Sequence, residues 1–176
     1  ALMPAITLAW PEGERLGYDE IFAHRNIDYA GPALNWVTMP DQFTWSFLER
    51  AIRTTDVADT RPVFAQVGLI SSHAPWTPIL PVLDDWDSIG DGSVFAPWEN
   101  AGEHPDELWR DMDRVREHYA LSVDYAIDTM TSYAERYVDD RTLLIVMGDH
   151  QAAPLIIGDD VSRAVPVHVI SRDPAL

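Results

Sequence analysis

The sequence predicts an α/β fold with a largely parallel central sheet flanked by helices. Three apolar runs of strand length, at residues 62–72, 142–147 and 166–170, have the continuous character of strands buried on both faces. Between the first two lies a stretch with helical periodicity, and strands alternating with helices indicate a parallel arrangement. Composition allows one such domain: 176 residues, 47% apolar or aromatic and 23% charged, fall in the globular range.

Residues 1–40 read as an irregular lead-in, with Trp10-Pro11-Glu12-Gly13 and Gly31-Pro32 as turn signals among short strands and loops. The α/β core spans residues 41–176. It opens with a helix over 41–54, with Asp41 as N-cap and Phe43, Phe47, Leu48, Ala51 and Ile52 at helical spacing. The run at 62–72 follows as a buried parallel strand ending at His73. Residues 74–104, rich in Asp, Gly, Pro and Trp, then form a long substrate-facing loop. Pro105-Asp106-Glu107 starts a helix, since Pro suits a first turn and acids suit its positive end. Over 119–138, Tyr119, Val123, Ala126, Met130, Tyr133 and Tyr137 make an apolar stripe, with Asp124, Asp128, Glu135 and Arg136 toward the other side. Asp139-Asp140-Arg141 turns into the central strand 142–147, which ends at Gly148-Asp149-His150. The run at 166–170 supplies a third strand.

The formal net charge of −17 opposes the phosphate backbone, because nucleic-acid binding depends on cationic side chains displacing counterions. It would also repel a phosphorylated or sulfated substrate unless bound cations reversed the field locally, so an anionic substrate implies metal. With no cysteine, disulfides and thiolate zinc sites are excluded and the redox compartment is not readable. No stretch reaches the roughly eighteen apolar residues of a spanning helix. The start at Ala1, without an initiator Met or signal region, reads as a cut.

In open α/β sheets ligands bind beyond the carboxyl ends of strands. Two predicted strands end there in histidine, one at Ser71-Ser72-His73-Ala74-Pro75-Trp76 and the other at Asp149-His150. An adjacent Asp oxygen and His nitrogen are ligands that zinc and manganese accept. Neighbouring side chains on a strand point to opposite faces, so the pair can share one ion only where the strand has broken, and Gly148 supplies the break.

The segment Leu143-Leu144-Ile145-Val146-Met147-Gly148-Asp149-His150 resembles the strand and Asp-His metal pair of the alkaline phosphatase/sulfatase superfamily. The order of features is similar over residues 62–170: His73-Ala74-Pro75-Trp76 after a strand, a Tyr-rich helix, Asp149-His150, then Val165-Pro166-Val167. Within the superfamily the chain resembles the membrane-anchored lipoteichoic acid synthase and phosphoglycerol transferase group. The family has Ser before the Asp-His pair and Gly after it, where this chain has Gly148 and Gln151.

The resemblance implies an alkaline phosphatase/sulfatase-like fold, this chain being the C-terminal portion of one catalytic domain. Asp149 and His150 would bind a divalent metal (Mn, Zn, Mg or Ca), and His73 would contact the phosphoryl or sulfuryl oxygen. The substrate would be a phosphate or sulfate ester, lipid- or glycan-linked. The full-length protein would sit in the cell membrane with this domain extracytoplasmic. The family's nucleophilic Thr, Ser or modified Cys and an acidic ligand come from an N-terminal segment unmatched here, so the chain alone is expected to be inactive. Met39-Pro40-Asp41-Gln42-Phe43-Thr44 reads as a loop capping a helix and not as that nucleophile.

Other features receive structural readings. His24, His104 and His118 lack a site context, and His168 reads as a buried, hydrogen-bonded core histidine. The run 84–91 lacks an acid or Asn at Ile89 and Glu at Ala96, which an EF-hand loop starting at Asp85 needs, so it reads as a solvated acidic loop. Trp76, Trp86 and Trp98 pack loops onto the sheet, and Arg163, beyond Asp149 and His150, either meets an anion or forms a surface ion pair. The alternative function is a non-catalytic module that holds a glycan or protein partner through the Trp-rich loop. A nucleotide-binding enzyme is excluded for want of a Gly-rich phosphate loop.

Overall fold

Short extended segments organise the first part of the chain. Leu2–Met3 (β1) and Phe22–Ala23 (β2) pair in parallel, Leu2 opposite Phe22 and Met3 opposite Ala23. Leu2 also forms a parallel bridge with Val67, closed by hydrogen bonds from Leu2 N to Gln66 O (2.8 Å) and from Gly68 N to Leu2 O (2.9 Å). The computed structural model describes residues 1–53, 62–158 and 162–175. The chain divides into two units, Ala1–Thr129 and Met130–Leu176.

In the first unit, a four-residue helix Pro11–Glu14 (α1) precedes β2, and Asp41–Phe47 (α2) continues as a π-helical segment, Leu48–Arg53. Every residue of α2 is buried, including Asp41, Gln42, Thr44 and Ser46. Phe43 meets the edge of Tyr29, ring centres 4.7 Å apart, and Phe47 meets Phe22 at 5.3 Å. Arg50 covers both phenylalanines and pairs its guanidinium with both oxygens of Asp28 at 2.9 and 3.0 Å. Residues 74–104 are ordered by packing: Trp76, Leu80, Trp86, Ile89 and Phe95 are buried, and Asp85 and Asp91 accept backbone N–H groups at the starts of two 3-10 turns, Asp87–Ile89 and Ser93–Trp98. Pro105–Leu108 (α3) is capped by His104 Nδ1, which accepts from Asp106 N.

The long helix Met112–Tyr137 (α4) begins in the first unit, and its residues from Met130 belong to the second. There Asp139 organises the turn after the helix, accepting from Thr142 Oγ1 at 2.5 Å and Arg141 N at 3.2 Å. Leu143–Met147 (β3) runs antiparallel to Val167–Ser171 (β4), with Leu143 opposite Ser171 and Met147 opposite Val167; Pro154–Ile157 (α5) lies in the connection. Leu143, Ile145 and Met147 on β3, with Val167 and Val169 on β4, form an exposed apolar face. No helix among the described residues is long and apolar enough to cross a membrane.

The predicted largely parallel central sheet is not found. The described strands form two separate two-stranded sheets, one parallel and one antiparallel. An apolar run marks extended chain but carries no direction, so β3 and β4 were legible as strands while their antiparallel pairing was not. Residues 62–72 form no strand beyond the bridge at Val67, and Val63 and Phe64 are exposed. Asp41 is not the N-cap of α2: Pro40 holds that position and Asp41 is the first helical residue. The predicted helix end at Thr54 lies outside the described residues. The buried line of α4 runs through Val115, Ser122, Tyr125, Thr129, Met130 and Tyr133, so it includes two small polar side chains, Ser122 and Thr129, that an apolar stripe omits. His168 is exposed on β4, not buried in a core.

Candidate functional site

β3 ends at Met147, and the last backbone bond beyond it is donated from Gly148 N to Pro166 O at 3.2 Å. A Cβ on Gly148 would stand 3.3 Å from Val165 Cβ, so glycine lets the two segments approach closely. The chain then bends, and the alternation that would send Asp149 and His150 to opposite faces is lost. Asp149 Oδ2 lies 3.7 Å from His150 Nε2, with side chains 90% and 75% exposed. The other carboxylate oxygen accepts from His150 N at 2.9 Å.

His150 Nδ1 is 2.6 Å from Gln151 O. A carbonyl only accepts, so Nδ1 carries the proton and donates, and in the neutral ring Nε2 keeps its lone pair. Two donors about 2.1 Å from a common ion at the tetrahedral angle stand roughly 3.4 Å apart, close to the observed separation. Asp149 and His150 therefore fit as two ligands of one divalent ion, which would supply charge neutralisation to an anionic ester. Among the described residues no group of three or more His, Asp or Glu side chains is gathered to hold a metal.

His73 is exposed in the first unit, while Asp149 and His150 belong to the second. Its backbone N–H donates to Ile70 O at 3.0 Å, and Nδ1 donates to Ala74 O at 2.8 Å, which leaves Nε2 as the ring nitrogen not committed to that carbonyl. Trp36 stacks on this ring, centres 6.0 Å apart and planes 14° from parallel. The stack is built from a two-residue turn: Leu34 and Val37 exchange backbone bonds of 2.8 and 3.1 Å, Asn35 takes φ 57°, and Asn35 Nδ2 donates to Thr77 O at 2.6 Å. Below the loop, Trp76 Nε1 donates to Ser72 O at 2.9 Å, and His118 Nδ1 donates to Trp76 O at 2.9 Å, giving His118 a structural role.

Sequence reasoning missed Trp36, and it read Asp41 as a helix cap without its bonds to Ile70 and Ser71. Trp36 was signalled only by Asn35 at a turn between two apolar residues. Asp41 was signalled by polar side chains interrupting Met39, Phe43, Trp45 and Phe47, a pattern no solvent-facing helix stripe produces. Burial pushes the Asp41 carboxyl above the usual carboxylate range, against the lowering effect of backbone and hydroxyl donors from Ile70 and Ser71.

Compared with known proteins, the chain matches no family model, no curated protein and no solved structure.

Proposed function

We propose that the chain supplies part of the site of a metal-dependent hydrolase or transferase acting on a phosphate or sulfate ester. Asp149 and His150 are its metal ligands, and His73 binds a non-bridging oxygen of the ester. The reading rests on sequence likeness to the alkaline phosphatase/sulfatase superfamily and its membrane-anchored phosphoglycerol transferase group, with this domain extracytoplasmic. The observation that carries it is the convergence of Asp149 Oδ2 and His150 Nε2 to 3.7 Å, each with its companion atom already hydrogen-bonded.

The two histidines have different tasks. His150 ligates as the neutral ring through the Nε2 lone pair. An ester oxygen only accepts, so His73, whose Nδ1–H is already on Ala74 O, would meet it through an N–H at Nε2. No residue here is assigned as nucleophile.

The rival reading, a glycan- or protein-binding module built on the Trp-rich loop, loses support because Trp76 and Trp86 are 8% and 4% exposed and pack that loop together. Incubating the chain with an aryl phosphate or aryl sulfate and zinc or manganese tests the catalytic assignment. No appreciable turnover is expected. Metal-stimulated turnover abolished by Asp149→Ala would place a nucleophile within these residues and overturn the assignment.

A further inference from the structure

Asp41 is fully buried, and its bonds all lead to one place. Its Oδ1 accepts from both Ile70 N and Ser71 N at 2.8 Å, while its own backbone N–H donates to Ser71 Oγ at 2.9 Å. Each segment thereby completes the other. The first orphan N–H of α2 is satisfied by Ser71, and two N–H groups at the end of segment 66–71 are satisfied by Asp41. His73 follows two residues later and closes a turn back onto Ile70 O.

An enclosed carboxylate is costly to desolvate; an apolar side chain there would avoid that cost but leave the amides of Ile70 and Ser71 without their acceptor. The second oxygen, Oδ2, has no hydrogen-bond partner. The Tyr125 hydroxyl, which feels the charge of Asp41, and Thr129 Oγ1 beside it are also buried and close no hydrogen bond of ordinary geometry. A small cavity of ≈ 10 Å³, about the size one water needs, is lined in part by Ser71, Ser122 and Tyr125. What Asp41 supplies and an apolar residue lacks is a single acceptor that holds two consecutive amides in one orientation.

We propose that Asp41 is a positioning residue for His73: it fixes the Ile70-Ser71 turn, so that the imidazole leaves the turn in one orientation, stacked on Trp36 and with Nδ1 on Ala74 O. The inference rests on the reading of His73 as the ester-binding residue and adds to it the buried group that sets its aim. Asp41 touches no substrate and acts only through the backbone of Ile70 and Ser71.

The test reads the His73 Cε1–H resonance by NMR, first without additives and then with zinc and inorganic phosphate, in the unaltered chain and in Asp41→Ala, Asp41→Asn and Gln42→Ala. Gln42 is the control, since it is equally buried but bonds Leu83 N and O at 2.9 and 2.7 Å. Asp41→Ala is expected to move the His73 resonance and weaken phosphate binding about tenfold or more, as loss of a supporting group does. Asp41→Asn, which keeps the acceptor, restores both, and Gln42→Ala leaves His73 where it was. An unmoved His73 in Asp41→Ala overturns the proposal, as does an equal displacement in Gln42→Ala. If Asp41→Ala does not fold, amide exchange in the unaltered chain decides: slow exchange at Ile70 and Ser71 supports the clamp, and exchange as fast as at exposed Phe64 overturns it. Because the resonance is first read without metal or phosphate, a wild-type chain that ignores phosphate defeats the ester reading and leaves the positioning result standing.

Discussion

Trp36 is 73% exposed, yet its ring lies nearly parallel to that of His73, 14° from coplanar orientation. An indole held this far out by a tight turn adds little to the core. Trp36→Ala should therefore change stability by no more than about 0.5 kcal/mol, as surface substitutions do, while the His73 Cε1–H resonance loses the ring-current shift of a stacked neighbour. Chemical denaturation and a histidine-selective NMR spectrum check both halves. A loss of several kcal/mol would mean that Trp36 is a core residue.

Asp41 makes stability depend on pH in a defined direction. Burial raises its carboxyl above the unfolded value, so the folded state binds the proton more tightly. Stability contributed by the protonated form is fully present below the unfolded carboxylate range, near about pH 4, and is lost as pH rises through the folded value. Asp41→Asn removes that titration. Thermal unfolding should show the variant gaining on the wild type as pH rises from 4 toward 7, and the gain should vanish at the acid end. Asp41→Ala instead strands two part-buried N–H groups and should cost about 2–4 kcal/mol.

The apolar face of β3 and β4 and the aromatic cluster around α2 should respond oppositely to substitution. Phe43 is fully buried, and Phe43→Ala should cost about 3–5 kcal/mol. Val169 is exposed on β4, and Val169→Thr should shift stability by less than about 0.5 kcal/mol. Urea titrations of the two variants test this. A large penalty for Val169→Thr would show that the face is covered in solution.

How much of this was legible in the sequence depends on which physical signal each element leaves. α4 announced itself through long periodicity, and β3 and β4 through β-branched and aliphatic runs, since both are local patterns. Strand direction is non-local, which is why a parallel sheet was expected where Leu143 in fact pairs with Ser171. The run at 62–72 misled for a related reason: apolar content signals burial only if other elements cover it, and Phe64 is 84% exposed. At the site, Gly148 correctly marked the strand break before Asp149 and His150. The clamp from Asp41 to Ile70 and Ser71 was illegible because it joins residues 29 and 30 positions apart through a side chain that resembles an ordinary helix cap.

The convergence of Asp149 and His150 is tested most directly by calorimetric titration of zinc and of manganese into the metal-free chain, alongside Asp149→Ala and His150→Ala. Saturable binding of one ion is expected, weakened about tenfold or more in each single variant and abolished in the double variant, with the His150 resonance and not that of His168 shifting on binding of diamagnetic zinc. Binding that survives loss of both side chains, or no binding by the unaltered chain, would contradict the assignment of this pair as metal ligands.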